Sequence, residues 1–147
     1  MLIAAAVLLG GVSLYLNKDF FAKDNIQISH RSRPVLAGAR KKPTRNFGNA
    51  DIEPITFFAD RKLKMTCLKV IPVSEIETNK YPQPIWHLVS ESNSVPIQEF
   101  GYGAPIPGMH PAVKGIGPEA LAPGEKYRIV VETASAKIQH DFVPVAR

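Results

Sequence analysis

The sequence predicts an all-β fold, a small antiparallel sandwich carried behind one N-terminal transmembrane helix. Three observations predict it. Residues 1–16, MLIAAAVLLGGVSLYL, carry no charged side chain. From Pro54 on, short runs rich in Val, Ile, Phe, Tyr and Thr are separated by turn signals. Beyond residue 22 no 3.6-residue period is sustained, and SEIETNK (74–80) has room for only a single helical turn. A chain of 147 residues with 13 prolines and 10 glycines suits one small domain with appendages.

Leu2 to Leu16 is apolar apart from Ser13. As a helix it covers about 22 Å, against the roughly 30 Å of a bilayer core. Continuing through Lys18 and Asp19 to Phe20, Phe21 and Ala22 reaches that length, with Lys18 snorkelling to the interface. Residues 1–22 are therefore read as a single-pass anchor. Two other readings stand beside it. A cleaved signal peptide has the right apolar length but lacks a basic start and an A-x-A site. A buried core helix is the third. Counting Lys18 and Lys23 by the positive-inside rule points the C-terminal part to the cytoplasm.

The net charge of +5 is unevenly placed. Residues 17–48 hold eight Lys/Arg and two acids, whereas the remaining residues hold ten Lys/Arg and eleven acids. Residues 23–53 thus read as a basic linker. Within it DNIQISHRS (24–32) alternates Ile26 and Ile28 with polar residues and predicts a short strand. The stretch that follows has no period and reads as a solvated tether. Arg40, Lys41, Lys42 and Arg45 form a patch that would also suit anionic lipid. Nucleic acid is not the expected partner, because no aromatics are interleaved with the cations for base stacking.

The domain, residues 54–147, reads as strands in series. ITFFAD (55–60) and RKLKMTCLKVIPV (61–73) come first. In the second, Leu63, Met65 and Cys67 share a face before Leu68 and Val70 take over; such a slip predicts a β-bulge or a crossing between sheets. On this pattern Cys67 is a core thiol. PIWHLVS (84–90) centres Trp86, and VPIQEFGYG (95–103) alternates Val95, Ile97 and Glu99 against Gln98 and Phe100. YRIVVETA (127–134) and AKIQHDFVPV (136–145) meet at a turn near Ala134-Ser135.

Before YRIVVET stands LAPGEKY, residues 121–127. Its Pro123-Gly124 makes a tight turn into a strand that opens with Tyr127. The ring can pack under the turn while the hydroxyl bonds backbone a few residues upstream. Leu121-x-Pro123-Gly124-x-x-Tyr127 followed by Arg-Ile-Val-Val-Glu resembles the tyrosine corner and following strand of fibronectin type III domains. The resemblance covers about a dozen residues closely and about 90 loosely. The family's tryptophan lies early, on its second strand, and Trp86 is either that residue or one on the third; the middle of the domain does not align, so an immunoglobulin-like sandwich of another lineage fits equally. The resemblance implies a binding or spacer module outside the cytoplasm, the opposite side from the charge count.

Residues 103–124 hold five glycines and five prolines, which deny ladder donors to any strand. They and the residue just before them also carry Tyr102, Ile106, Met109, His110 and Val113. Two readings follow: a partner-binding loop, or a structural loop that covers a sheet edge. His30, His87, His110 and His140, with Cys67, show no metal-ligand spacing. No nucleophile elbow, zinc-protease motif or phosphate loop is present. The expectation is a non-enzymatic, membrane-anchored sandwich that binds or positions a protein, as an accessory subunit of an envelope complex would. It needs membrane lipid and a protein partner, and no cofactor, metal or small-molecule substrate. The alternative is a secreted or surface sandwich that binds carbohydrate or matrix.

Overall fold

The computed structural model describes residues 25–33 and 52–147. The anchor expected over residues 1–22 and the cluster Arg40, Lys41, Lys42 and Arg45 lie outside the described residues. Among the described residues no helix is long and apolar enough to cross a membrane.

The described chain is all-β, with two antiparallel sheets and one short helix. Eight strands run in chain order: β1 (Ile28–Ser32), β2 (Ile55–Leu63), β3 (Met65–Pro72), β4 (Trp86–Val89), β5 (Ile97–Gly101), β6 (His110–Pro111), β7 (Tyr127–Thr133) and β8 (Lys137–Phe142). One sheet has the order β1-β2-β5 and the other β6-β4-β3-β7-β8. Helix α1 (Val73–Thr78) follows β3 and ends where Asn79 turns extended. Both sheets contribute to one apolar core, an arrangement compatible with a β-sandwich.

The strand expected at 24–32 is β1, which pairs with β2 so that His30 faces Phe57 and Ser32 faces Ile55. The Arg33 N–H then donates to the Pro54 carbonyl at 3.3 Å. The expected tether, 33–49, lies outside the described residues apart from Arg33.

The sequence divides the next stretch at Asp60, but β2 runs on to Leu63 and only Lys64 separates it from β3. The charged run Asp60-Arg61-Lys62 looks like a turn, yet the Asp60 N–H still bonds the Gln27 carbonyl at 3.0 Å. The chain changes sheets at Lys64, and a bulge against β7 falls between Met65 and Cys67. Because the slip comes before Cys67 and not after it, Met65, Leu68 and Val70 point inward and Cys67 is only partly buried. Cys67 is thus not a core thiol. Of the alternating run at 95–103, the sequence leaves the inward face open, and Ile97 is partly buried against the core. Phe100 is the buried residue of β5, whereas Val95 is 51% exposed.

Aromatic rings fill the middle of the core. Phe57 stacks on Phe100 at 5.4 Å and meets Phe142 edge-on at 5.1 Å, and Phe142 in turn lies under Tyr127 at 5.8 Å. Burying a ring such as Phe57 contributes about 1.5–3 kcal/mol. On the surface of the β7–β8 hairpin Arg128 lies opposite Asp141 and grips it with two bonds of 2.6 and 3.0 Å.

Candidate functional site

Residues 101–121 leave β5, run beside β4 at the edge of the five-stranded sheet and return toward β7 without forming a long strand. Proline denies this stretch the donors of a regular ladder, so its backbone groups find partners one at a time. The Ala112 N–H bonds His87 and the Glu119 N–H bonds Ile85, at 3.0 and 2.9 Å. The Tyr102 N–H bonds Ile55 at 3.0 Å, and its hydroxyl donates to the Glu119 carbonyl at 2.7 Å. The two-residue strand β6 pairs with β4, Leu88 opposite Pro111. Gly108, at φ +77°, fits only because it has no side chain, since a Cβ there would sit 2.1 Å from the Asn93 carbonyl oxygen. These bonds hold the loop at the sheet edge.

Between the loop and the sheet lies a cleft of about 870 Å³, lined mainly by apolar groups. Trp86 and Leu88 of β4 form one part, Ile52 and Ile55 another, and Ile106 and Met109 come from the loop. Tyr102 meets Trp86 edge-on at 5.1 Å. Burial pushes the Tyr102 phenol far above its ordinary range, with Tyr127 and Glu119 adding to the shift. It therefore stays a neutral donor to Glu119. Glu53 and Arg147 supply the charged groups at the cleft.

Of the five loop residues singled out by sequence, Tyr102, Ile106 and Met109 converge on the cleft. His110 is exposed on β6, and Val113 is 58% exposed without lining the cleft. Sequence reasoning missed Ile116, which lines the cleft and is 60% exposed. Its signal is a bulky β-branched residue set between two glycines. It also missed Trp86 and Leu88 as cleft residues, because their strand period marks them only as apolar.

The corner residues are assembled one turn further on. The Pro123-Gly124 turn is closed by the Glu125 N–H bonding the Ala122 carbonyl at 3.4 Å, with Gly124 at φ +80°. Leu121 and Tyr127 are buried. The Tyr127 hydroxyl accepts from the Ala122 N–H and donates to Glu125 Oε2, both at 2.9 Å. Burial is the main cause raising its phenol pKa, while the Ala122 bond works in the opposite direction.

Cys67 Sγ lies 3.5 Å from His87 Nε2. Burial pushes the thiol up and the imidazole down, so neither group is charged by the other at neutral pH. This is not an activated nucleophile. Among the described residues no three His, Cys, Asp or Glu side chains are grouped to hold a metal ion. No family profile, curated protein or solved structure matches the chain.

Proposed function

We propose that the chain is a non-enzymatic, single-pass membrane-anchored sandwich whose cleft at residues 101–121 binds a partner protein, as an accessory subunit of an envelope complex does. The observation that carries the reading is the cleft itself: a mainly apolar concavity held open by one-off hydrogen bonds, with Ile116 largely in water at its edge. Covering such a side chain contributes about 1.5–3 kcal/mol to association. A preformed, mostly apolar concavity is the usual form of a binding site.

The fibronectin type III or immunoglobulin-like part of the reading draws on strand order. If β1, β2 and β5 are lettered A, B and E, and β3, β4, β7 and β8 are lettered C, C′, F and G, the orders A-B-E and C′-C-F-G follow. The corner then precedes strand F, its place in that architecture. The anchor draws on residues 1–22, and the extracytoplasmic side on the fold class. Arg40, Lys41, Lys42 and Arg45 would rest on anionic lipid. The carbohydrate reading gains nothing from the cleft, because Trp86 is only 3% exposed and offers no open face to a sugar.

A photoreactive amino acid at position 116 of the full chain, in its own membrane, should give a discrete protein adduct. The same group at Ser135, on the β7–β8 turn, should give none. No adduct at 116, or equal yields at both positions, would sink the reading.

A further inference from the structure

His30 and His140 are 110 residues apart and belong to different sheets, yet His30 Nδ1 lies 2.7 Å from His140 Nε2. β1 is the edge of one sheet and β8 the edge of the other, so the two rings meet across the seam between them. Their centroids are 5.0 Å apart, and His30 also rests on Phe142 at 5.9 Å. The residues opposite them on the paired strands, Phe57 on β2 and Ile129 on β7, do not ionise. Of the charged neighbours, Arg31 lies over Phe58, and Asp141 is held by Arg128 and Lys126. None of these three cations is paired with a ring nitrogen of the two histidines.

We propose that His30 and His140 form a two-imidazole site for a divalent transition metal, with Cu2+ the best fit, clasping the two sheet edges together. Geometry selects the ion. With nitrogen–metal bonds of about 2.0 Å, neighbouring ligands of a square-planar ion stand about 2.8 Å apart and those of a tetrahedral ion about 3.3 Å. The observed 2.7 Å matches the first separation, so the rings need only turn until both lone pairs face the ion, whereas the second also needs a clear opening. Square-planar nitrogen and oxygen sites favour Cu2+ or Ni2+, and Cu2+ binds most tightly in the divalent series. Among the described residues no third ligand joins the pair, so water completes the coordination.

The proton balance is simple. In the neutral pair one ring donates its N–H to the other ring's lone pair. Metal binding requires the donor ring to move that proton to its remaining nitrogen, and no net proton is released. Doubly protonated rings cannot bind, so the metal competes with acid. The Cys67–His87 pair is the weaker candidate, because Lys69 acts on both groups and burial keeps the thiol protonated.

The test titrates the detergent-solubilised full chain with CuCl2, read by electron paramagnetic resonance. One equivalent should bind with hyperfine structure from two nitrogens. His30→Ala and His140→Ala should each weaken binding by about tenfold or more, and His87→Ala and His110→Ala should leave it unchanged. Lowering the pH to about 5, below the imidazole range, should release the metal. His30→Gln and His140→Gln, checked by circular dichroism, guard against loss of fold, and the two-nitrogen signal of the unmodified chain needs no variant at all. A one-equivalent site that survives His140→Ala would overturn the proposal. So would histidine resonances that titrate together with pH but ignore Cu2+, which would leave a proton-sharing pair only.

Discussion

The turn at residues 121–127 and the loop at 101–118 are both built from glycine and proline, and they use glycine for different reasons. Gly124 in the turn and Gly115 in the loop have φ of +80° and +85°, with no atom within 4 Å of where a Cβ would stand. They are needed for backbone conformation alone. Gly108 has nearly the same φ, +77°, but there the missing side chain makes room for the backbone of Asn93 and Ser94. Gly124 sits in an open turn, although its own N–H still bonds the Pro144 carbonyl at 3.0 Å, whereas Gly108 is pressed directly against the backbone of residues 93 and 94.

Gly108→Ala should expose that difference most strongly. A Cβ 2.1 Å from the Asn93 oxygen cannot be relieved by turning a side chain, because the obstacle is backbone. Strain at positive φ and overpacking together should cost about 3 kcal/mol or more, read as a fall in the urea midpoint. A variant that melts like the parent would mean the loop does not sit against residues 93–94.

Tyr127→Phe comes next. It keeps the ring on Phe142 and removes the oxygen that takes up the Ala122 N–H. The orphaned donor should cost about 1–3 kcal/mol, toward the low end because Ala122 itself is exposed. Parent-like stability would show that water replaces the hydroxyl and that the turn is not held by Tyr127.

What was legible in the sequence follows from contact range. The turn could be read because Ala122, Pro123, Gly124, Glu125 and Tyr127 lie within six residues of one another, and local turn chemistry sets their geometry. The strands could be read because alternation is local too. Phase was less secure. The bulge comes one step sooner than the pattern suggests, and that step turns Cys67 from the core toward His87. The cleft was only half legible. Tyr102, Ile106 and Met109 stood out as apolar residues in a loop, but Trp86, Leu88 and Ile52 reach the same cleft only through tertiary folding. The His30–His140 contact spans 110 residues, and no ligand-spacing rule reaches so far.

A smaller effect separates the two kinds of glycine directly. Gly124→Ala and Gly115→Ala should cost similar amounts, about 1 kcal/mol each, since both positions are open and differ only in their place in the chain. The urea midpoints of this pair, set beside Gly108→Ala, should form two classes. If Gly115→Ala proved as costly as Gly108→Ala, the loop would be constrained by close packing throughout and the contrast with the turn would fail.

The smallest effect concerns the strand that follows the turn. Lys126 and Arg128 both reach Asp141 on β8, at 3.3 and 2.6 Å. The hydrogen bonds from Arg128, helped by Lys126, hold the Asp141 pKa down to about 2, against 3.8 without such partners. The sign follows from linkage. A carboxylate with a lowered folded-state pKa contributes stability above its unfolded value, and that contribution is lost as pH falls. Urea midpoints should therefore decline from about pH 4 toward about pH 2, and Asp141→Asn should remove this residue's part of the decline. The pair lies at the surface, so its contribution should stay under about 1 kcal/mol. Added salt should shrink it further, whereas the cost of Tyr127→Phe, which involves no ion pair to Ala122, should persist. An acid decline that Asp141→Asn leaves unchanged would show that other carboxylates set it. The hold of β8 on the strand after the turn would then rest on backbone pairing alone.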